Sequence, residues 1–446
     1  MKSVHFVSLG CARNLVDSEV MAGLLQKDGY QLSPDPSQAE LIVVNTCGFI
    51  DTAKKESVES ILDAAQYKDR KRGKCERLVV AGCLSERYPD ELKKSIPEID
   101  LVTGSSAFSS IVEKVNALND QQGPRVIIDE QRIADFELPR LNSQPFYTAY
   151  LKLAEGCAKR CSFCVIPKLR GGLRSRTIPS LIKEAQSLVD GGVKELNLIA
   201  QDLTDFGRDR KDGTSLEAFL KEIVKVEGLG WARLFYTYPD QISDEVISLI
   251  KNEEKICNYL DVPVQHINDV MLKRMNRHVS GTQILKMLER LKKEIPDMVI
   301  RTSLMVGFPG EEQKHFDELK NFISMGLIDQ MGVFTYSHEE GAPSFQLPDD
   351  VDQELKEERR KQLHDLQLET QKKALGTWVG RKVKVLVEGT HPETELLLKG
   401  RHYGQAPDID NLTLINAGQA NVGDFVDVNI REVVGLDVCG EIDGSL

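Results

Sequence analysis

The sequence predicts an α/β protein in three parts. These are an open parallel α/β domain over residues 1–120, a partial (β/α)6 barrel over 148–348 and a small antiparallel β-barrel over 377–446. Three observations predict it. Short apolar runs alternate with amphipathic stretches as far as residue 120. The same alternation restarts at Thr148 and repeats six times. After Gly376 the apolar residues fall at every second position.

In the first part, Val4 to Leu9, Leu41 to Asn45 and Leu78 to Ala81 read as strands. Asn14 to Lys27 and Ala53 to Ala65 read as helices, the second with Val58, Ile61 and Leu62 as its apolar face. The βαβα rhythm implies a parallel sheet with helices on both faces. Gln121-Gln122-Gly123-Pro124 and Pro139 to Pro145 read as a linker over 121–147. The barrel strands are expected at Tyr150 to Leu153, Glu195 to Ile199, Arg233 to Tyr236, Tyr259 to Val262, Val299 to Val306 and Val333 to Thr335. Helices such as Pro179 to Val189 and Thr282 to Ile295 separate them. The charge-laced stretch over 349–376 reads as a solvated helical connector. In the last part Val383, Val385 and Val387, then Val426, Val428 and Ile430, alternate between glycine-marked turns.

The 446 residues are enough for about three domains. A 41% hydrophobic, 28% charged composition is that of a globular chain, and no apolar run is long enough to span a bilayer. The N-terminus is too briefly apolar for a signal peptide, so a cytoplasmic location is expected, where nine cysteines point to metal rather than disulfides. A net charge of −12 argues against a polyanionic partner and for a basic one. The last 70 residues alone carry six basic and eleven acidic side chains, a poor match for phosphate.

Cys157, Cys161 and Cys164 form a C-x3-C-x2-C triplet between Gly156 and Val165. Three thiolates on one tight loop can hold three irons of a [4Fe–4S] cluster and leave the fourth open to a small molecule. A disulfide pair with a spare thiol is the wrong chemistry for a reducing compartment, and a zinc knuckle needs a fourth ligand that does not follow Cys164. The spacing resembles that of radical S-adenosyl-L-methionine (SAM) enzymes, whose open iron chelates the cofactor's amino and carboxylate groups. Cys11, Cys47 and Cys83 each follow a strand of the first part directly. In a parallel sheet those carboxyl ends form one edge, so the three converge as a second ligand set or else are ordinary buried cysteines.

Gly191, Gly192 and Glu195, and Gly307 and Gly310 in Val306-Gly307-Phe308-Pro309-Gly310-Glu311, are further cofactor-binding candidates. Turn geometry alone would also explain the glycines. Gln201-Asp202 ends the second barrel strand, and Gln265-His266 follows the fourth. Arg170, Arg174 and Arg176 are candidates for a carboxylate of SAM or substrate, or a solvated charge run. Cys75, Cys257 and Cys439 match no ligand set. No further residue stands out as catalytic.

Gly10-Cys11-Ala12-Arg13-Asn14-Leu15-Val16-Asp17-Ser18-Glu19, Asn45-Thr46-Cys47-Gly48-Phe49-Ile50, Gly82-Cys83-Leu84 and Glu155-Gly156-Cys157 together resemble the radical-SAM methylthiotransferase family. The acidic C-terminal module resembles that family's TRAM domain. The resemblance runs through essentially the whole chain. It implies two [4Fe–4S] clusters, one on Cys157, Cys161 and Cys164 for SAM, the other on Cys11, Cys47 and Cys83 for sulfur delivery. SAM would serve as methyl donor and as radical source. Arg13 to Val16 and Gly48 to Ile50 resemble the branch that modifies the β-carbon of an aspartate in the twelfth small-subunit ribosomal protein. The family also implies an electron donor such as flavodoxin or ferredoxin, and neither tRNA nor a membrane is expected as a partner. Two rivals stay open at this stage: a tRNA adenosine methylthiotransferase and a non-catalytic iron–sulfur electron-transfer protein.

Overall fold

A computed structural model describes residues 2–120, 125–130 and 138–444, so Gln121 to Pro124 lie outside the described residues. The first sheet has six parallel strands: β1 (Ser3–Ser8), β2 (Gln31–Leu32), β3 (Leu41–Thr46), β4 (Arg77–Gly82), β5 (Leu101–Thr103) and β6 (Arg125–Ile127), in the order β2-β1-β3-β4-β5-β6. Successive side chains of β3 and β4 point to opposite faces and bury two separate cores. Val43 and Val79 pack with Met21 and Ile111 on one face, Ile42 and Val80 with Ile61 and Leu92 on the other. The helix Asp51–Ala65 uses a narrower stripe than expected. Ser57, Ile61 and Ala64 are buried, whereas Val58 and Leu62 are exposed.

Two differences from the expected 121–147 linker follow. Strand β6 belongs to the first sheet and extends it past residue 120. Pro139 to Ser143 lies against the helix Ala12–Lys27, where Glu19 takes hydrogen bonds from Ser143 and an ion pair from Arg140 at 2.6 Å. The segment looked like a linker because its partners are 120 residues away.

The second sheet is β7 (Thr148–Lys152), β10 (Glu195–Ile199), β11 (Trp231–Leu234), β12 (Ile256–Asp261), β13 (Val299–Val306) and β14 (Gln330–Thr335), all parallel and in sequential order. A short antiparallel pair, β8 (Ala154–Glu155) with β9 (Arg174–Ser175), brackets the triplet loop. One face of this sheet packs on its helices through Leu196, Leu198, Ala232, Leu260 and Ile300. The other face, with Trp231, Phe235, Tyr259 and Val299, packs on the C-terminal barrel.

That barrel is closed by β15 (Lys382–His391), β16 (Thr394–His402), β17 (Thr413–Ala417), β18 (Phe425–Val434) and β19 (Asp437–Ile442). It is not wholly antiparallel, because β17 and β19 pair in parallel. The helix Gln353–Gly376 is not a solvated connector either. Arg359, Leu363, Gln367, Gln371 and Leu375 recur every fourth residue and are all buried. Its buried stripe is mostly polar, satisfied by Arg359 on Glu311 at 2.7 Å, Gln367 on the Asp329 carbonyl and Gln371 on Gln330. Hydrophobic periodicity could not reveal it. Among the described residues no helix is long and apolar enough to cross a membrane.

Candidate active site

The order of the first sheet reverses between β1 and β3, and ligands of open α/β sheets bind at the carboxyl ends of such strands. Cys11 follows β1, Cys47 follows β3 and Cys83 follows β4. Glycines bring them together. A Cβ on Gly10, whose φ is +87°, would lie 2.7 Å from Cys47 Cβ and 2.9 Å from its Sγ. A Cβ on Gly48 would lie 2.8 Å from the Cys83 backbone. Asn14 holds the edge by donating to the Leu9 and Asn45 carbonyls at 2.7 and 3.2 Å. Ser57 brackets Cys47, accepting from its amide and donating to its carbonyl.

Burial opposes ionisation of Cys11, but the guanidinium groups of Arg13 and Arg170 outweigh it and lower the thiol. Burial raises Cys47 to about 11 and raises Cys83. All three thiols are free. Among the described residues no three His, Cys, Asp or Glu side chains are grouped to hold a single metal ion. The donors are three thiols just beyond three separate strands, with no imidazole or carboxylate among them. That set suits a multi-iron cluster, in which each sulfur takes its own iron.

The second triad leaves the sheet after β7. Gly156, at φ +73°, passes so close to the Gly172 carbonyl that a Cβ would collide with it. The Cys157 amide donates to the Gly171 carbonyl at 3.1 Å, and the Cys164 amide to Cys161 at 3.2 Å. Burial lifts Cys157 to about 11 and Cys164 to about 12, so ligation would expel their protons. All three cysteines line a cavity of about 670 Å³, the size of a cofactor site, and its lining is mainly apolar. Tyr236, Tyr238, Met305 and Phe334 form its walls. Four non-glycine residues have positive φ among the described residues; two of them, Tyr236 at +58° and Gln265 at +71°, line this cavity.

A buried charge quartet joins the triads. Arg170 Nη1 reaches Asp17 at 2.9 Å and Glu155 at 3.1 Å, its Nη2 reaches Asn14 at 3.1 Å, and Lys152 pairs with both Asp17 and Glu155. Burial works against Glu155 ionising, but Arg170 and Lys152 hold its carboxyl far below the usual range. Arg170 is therefore a structural cation, not a free carboxylate receptor. Arg176 is likewise engaged with Glu184 at 2.6 Å.

Several sequence candidates lie elsewhere. Gly191 caps the helix Ile178–Asp190, and Gly192 lies against Phe146, both at the amino end of β10 and opposite the cavity. Glu195 is wholly buried at that same end, paired with Arg233 at 2.9 Å and with Arg401 of the C-terminal barrel at 2.5 Å. Residues that precede a parallel strand fall on the face away from its functional loops. Gly307 packs on Lys356 and Gly310 on Arg274, so neither lines the cavity. Gln201, Asp202 and Gln265 do line it. His266 is buried beside Gln265, accepting from the Ile267 and Asn268 amides, with Nε2 3.6 Å from Glu311. Cys75, Cys257 and Cys439 are buried and join neither triad. Arg13, Tyr236, Tyr238 and Arg277 were not singled out as site residues, and only the Arg13 motif carried a sequence signal.

Fold and site together define a radical-SAM enzyme with a second cysteine triad. Family models match in sequence order: the uncharacterized protein family UPF0004 over residues 3–104, the radical SAM superfamily over 151–323 and the TRAM domain over 379–442. Relatives called ribosomal protein uS12 methylthiotransferase RimO, from Geobacter sulfurreducens and Citrifermentans bemidjiense, are each 49% identical. In both cases the match spans 99% of this chain and 98% of the relative. This chain belongs to that methylthiotransferase family. In fold it is similar to the cobalamin-binding radical SAM methyltransferase TsrM from Kitasatospora setae, with a TM-score of 0.56 over 77% of each chain at 16% identity.

Proposed function

We propose that this protein places a methylthio group on the β-carbon of an aspartate in the twelfth small-subunit ribosomal protein, uS12. The observation that carries the reading is the pair of cysteine triads joined by the Arg170 quartet, in a chain nearly half identical to named uS12 methylthiotransferases over its whole length. In this reading Cys157, Cys161 and Cys164 hold one [4Fe–4S] cluster, and Cys11, Cys47 and Cys83 hold a second. When bound, the first cluster and SAM supply the carbon-centred radical that removes a hydrogen from an unactivated carbon. The chain's own residues position and shield. Lys159, paired with Asp202 and Asp205 at 3.5 and 3.1 Å, fixes the triplet loop against the end of β10. Tyr236 and Tyr238 line the cavity and would shield a bound cofactor from water. The second triad stands on a separate domain and would deliver sulfur from the side of this cavity that Arg13, Phe49 and Ile50, chain neighbours of Cys11 and Cys47, line.

The labour divides by domain: sulfur delivery in 1–120, radical generation in 148–348, and recruitment of a basic protein by the acidic barrel of 377–446. Flavodoxin or ferredoxin would supply the electron, and the cytoplasm, where ribosomes assemble, would be the place of action. The test is anaerobic incubation of reconstituted protein with SAM, a reductant and either uS12 or tRNA. The expected result is replacement of one hydrogen by methylthio on the target aspartate. Methylthio on tRNA instead would refute the reading.

A further inference from the structure

Four cations line the cavity: Arg13, Lys159, Arg277 and Arg360. Three are engaged. Lys159 pairs with Asp202 and Asp205, and Arg360 with Glu357 at 2.7 Å. Arg277 lies 4.0 Å above the Tyr238 ring centroid, donates to the Pro263 carbonyl at 2.5 Å and approaches Cys161 Sγ at 3.9 Å. Arg13 differs. Among the described residues no carboxylate pairs with it. Its Nη1 donates to the Ala200 carbonyl at 2.8 Å, and its guanidinium lies 4.5 Å above the Tyr236 ring centroid. One edge and one face are therefore fixed, while a guanidinium carries five donors in a fork that matches a carboxylate.

Its position is equally specific. Arg13 stands two residues after Cys11 of one triad and lines the cavity that Cys157, Cys161 and Cys164 of the other also line, so it stands between the triads. The acidic group beside it is the Cys11 thiol, whose ionised form it favours. A guanidinium buried in a mainly apolar cavity with no carboxylate partner is costly, and a carboxylate arriving with a ligand offsets that cost. We propose that Arg13 binds the side-chain carboxylate of the substrate aspartate and so holds the adjacent β-carbon between the two cysteine triads. This rests on the aspartate-directed reading above. Two other duties compete for the same cation: supporting the Cys11 thiolate, or holding the carboxylate of SAM. Both would serve every substrate alike, whereas a substrate clamp distinguishes a carboxylate from its amide.

The experiment compares holoenzyme of the wild type, Arg13→Met and Arg13→Lys on full-length uS12 carrying either its target aspartate or asparagine there. Iron content and cluster spectra are checked first. The wild type is expected to favour aspartate over asparagine by about 10- to 100-fold in kcat/KM, the range of one charge-assisted pair. Arg13→Met should bring that ratio close to one, and Arg13→Lys should recover part of it. Should Arg13→Met be inactive, titrating the two uS12 forms onto the SAM-loaded variants gives the same ratio without turnover. A ratio unchanged in Arg13→Met, with both forms weakened equally, overturns the proposal. Failure of the wild type to modify aspartate at all would overturn the aspartate reading itself, and that control is read before any variant.

Discussion

Replacing Arg401 by Met should loosen the C-terminal barrel from the six-stranded domain. Arg401 is wholly buried and reaches Glu195 at 2.5 Å, Glu388 at 2.7 Å and the Gln405 carbonyl at 2.9 Å. Glu195 is also held by Arg233, itself fully buried. Removing one partner from a buried ion network leaves an uncompensated charge, at a cost of about 3–5 kcal/mol. With a urea dependence of about 2 kcal/mol/M, the unfolding midpoint should fall by about 2 M. The chain has two tryptophans, Trp231 and Trp378, and both lie in the apolar cluster at this joint. Their fluorescence therefore reports the joint directly. Burial works against ionisation of Glu195, but Arg401 and Arg233 overcome it and hold the carboxyl at about 2. Its unfolded value is about 4.3, so this stabilisation is complete above that pH and is lost as pH falls toward 2. The variant should show a shallower acid slope across the same window. Combining Arg401→Met with Glu195→Gln should cost clearly less than the sum of the two, because they share one network. An unshifted fluorescence transition, or strict additivity, would refute this account of the joint.

Glu393, Glu395 and Glu432 are exposed on the barrel, and changing all three to Lys takes its balance from −5 to +1. Affinity for uS12 should drop at low salt, with the difference from wild type shrinking as salt screens the charges; a surface titration at several ionic strengths reads this. Gly10→Ala should displace Cys47 and lower bound iron while the triplet loop keeps its own, as iron analysis and cluster spectra would show. Truncation after Gly376 uncovers Trp231, Tyr259 and Val299, so the shortened chain should aggregate; size-exclusion chromatography is the check.

The grouping of the cysteines into two sets was legible because each set follows from local placement along the chain. Cys157, Cys161 and Cys164 share a turn, and Cys11, Cys47 and Cys83 each end a strand whose neighbours the βα rhythm already implies. Glu195, Gly191 and Gly192 were misplaced although their strand was found, because they precede it and so stand at its far end. The helix Gln353–Gly376 was misjudged because its buried stripe is Arg and Gln, whose partners on β14 and around Glu311 no local pattern reveals. Arg13, Tyr236 and Arg277 meet from three distant segments; only the fold brings them to one cavity. Arg170 was noticed in sequence as a basic residue, but its role depends on Asp17, more than 150 residues earlier.

The central claim is that two clusters sit on two cysteine triads and do separate work. Iron analysis with Mössbauer spectroscopy, paired with 5′-deoxyadenosine and methylthio product from the same samples, tests it most directly. Wild type should carry two [4Fe–4S] clusters. The triple variant Cys157→Ala, Cys161→Ala, Cys164→Ala should keep one cluster and lose SAM cleavage. The triple variant Cys11→Ala, Cys47→Ala, Cys83→Ala, with its fold checked by circular dichroism, should keep the other cluster and SAM cleavage but transfer no methylthio. A first variant that still forms 5′-deoxyadenosine, or a folded second variant that still transfers methylthio at the wild-type rate, would contradict the account.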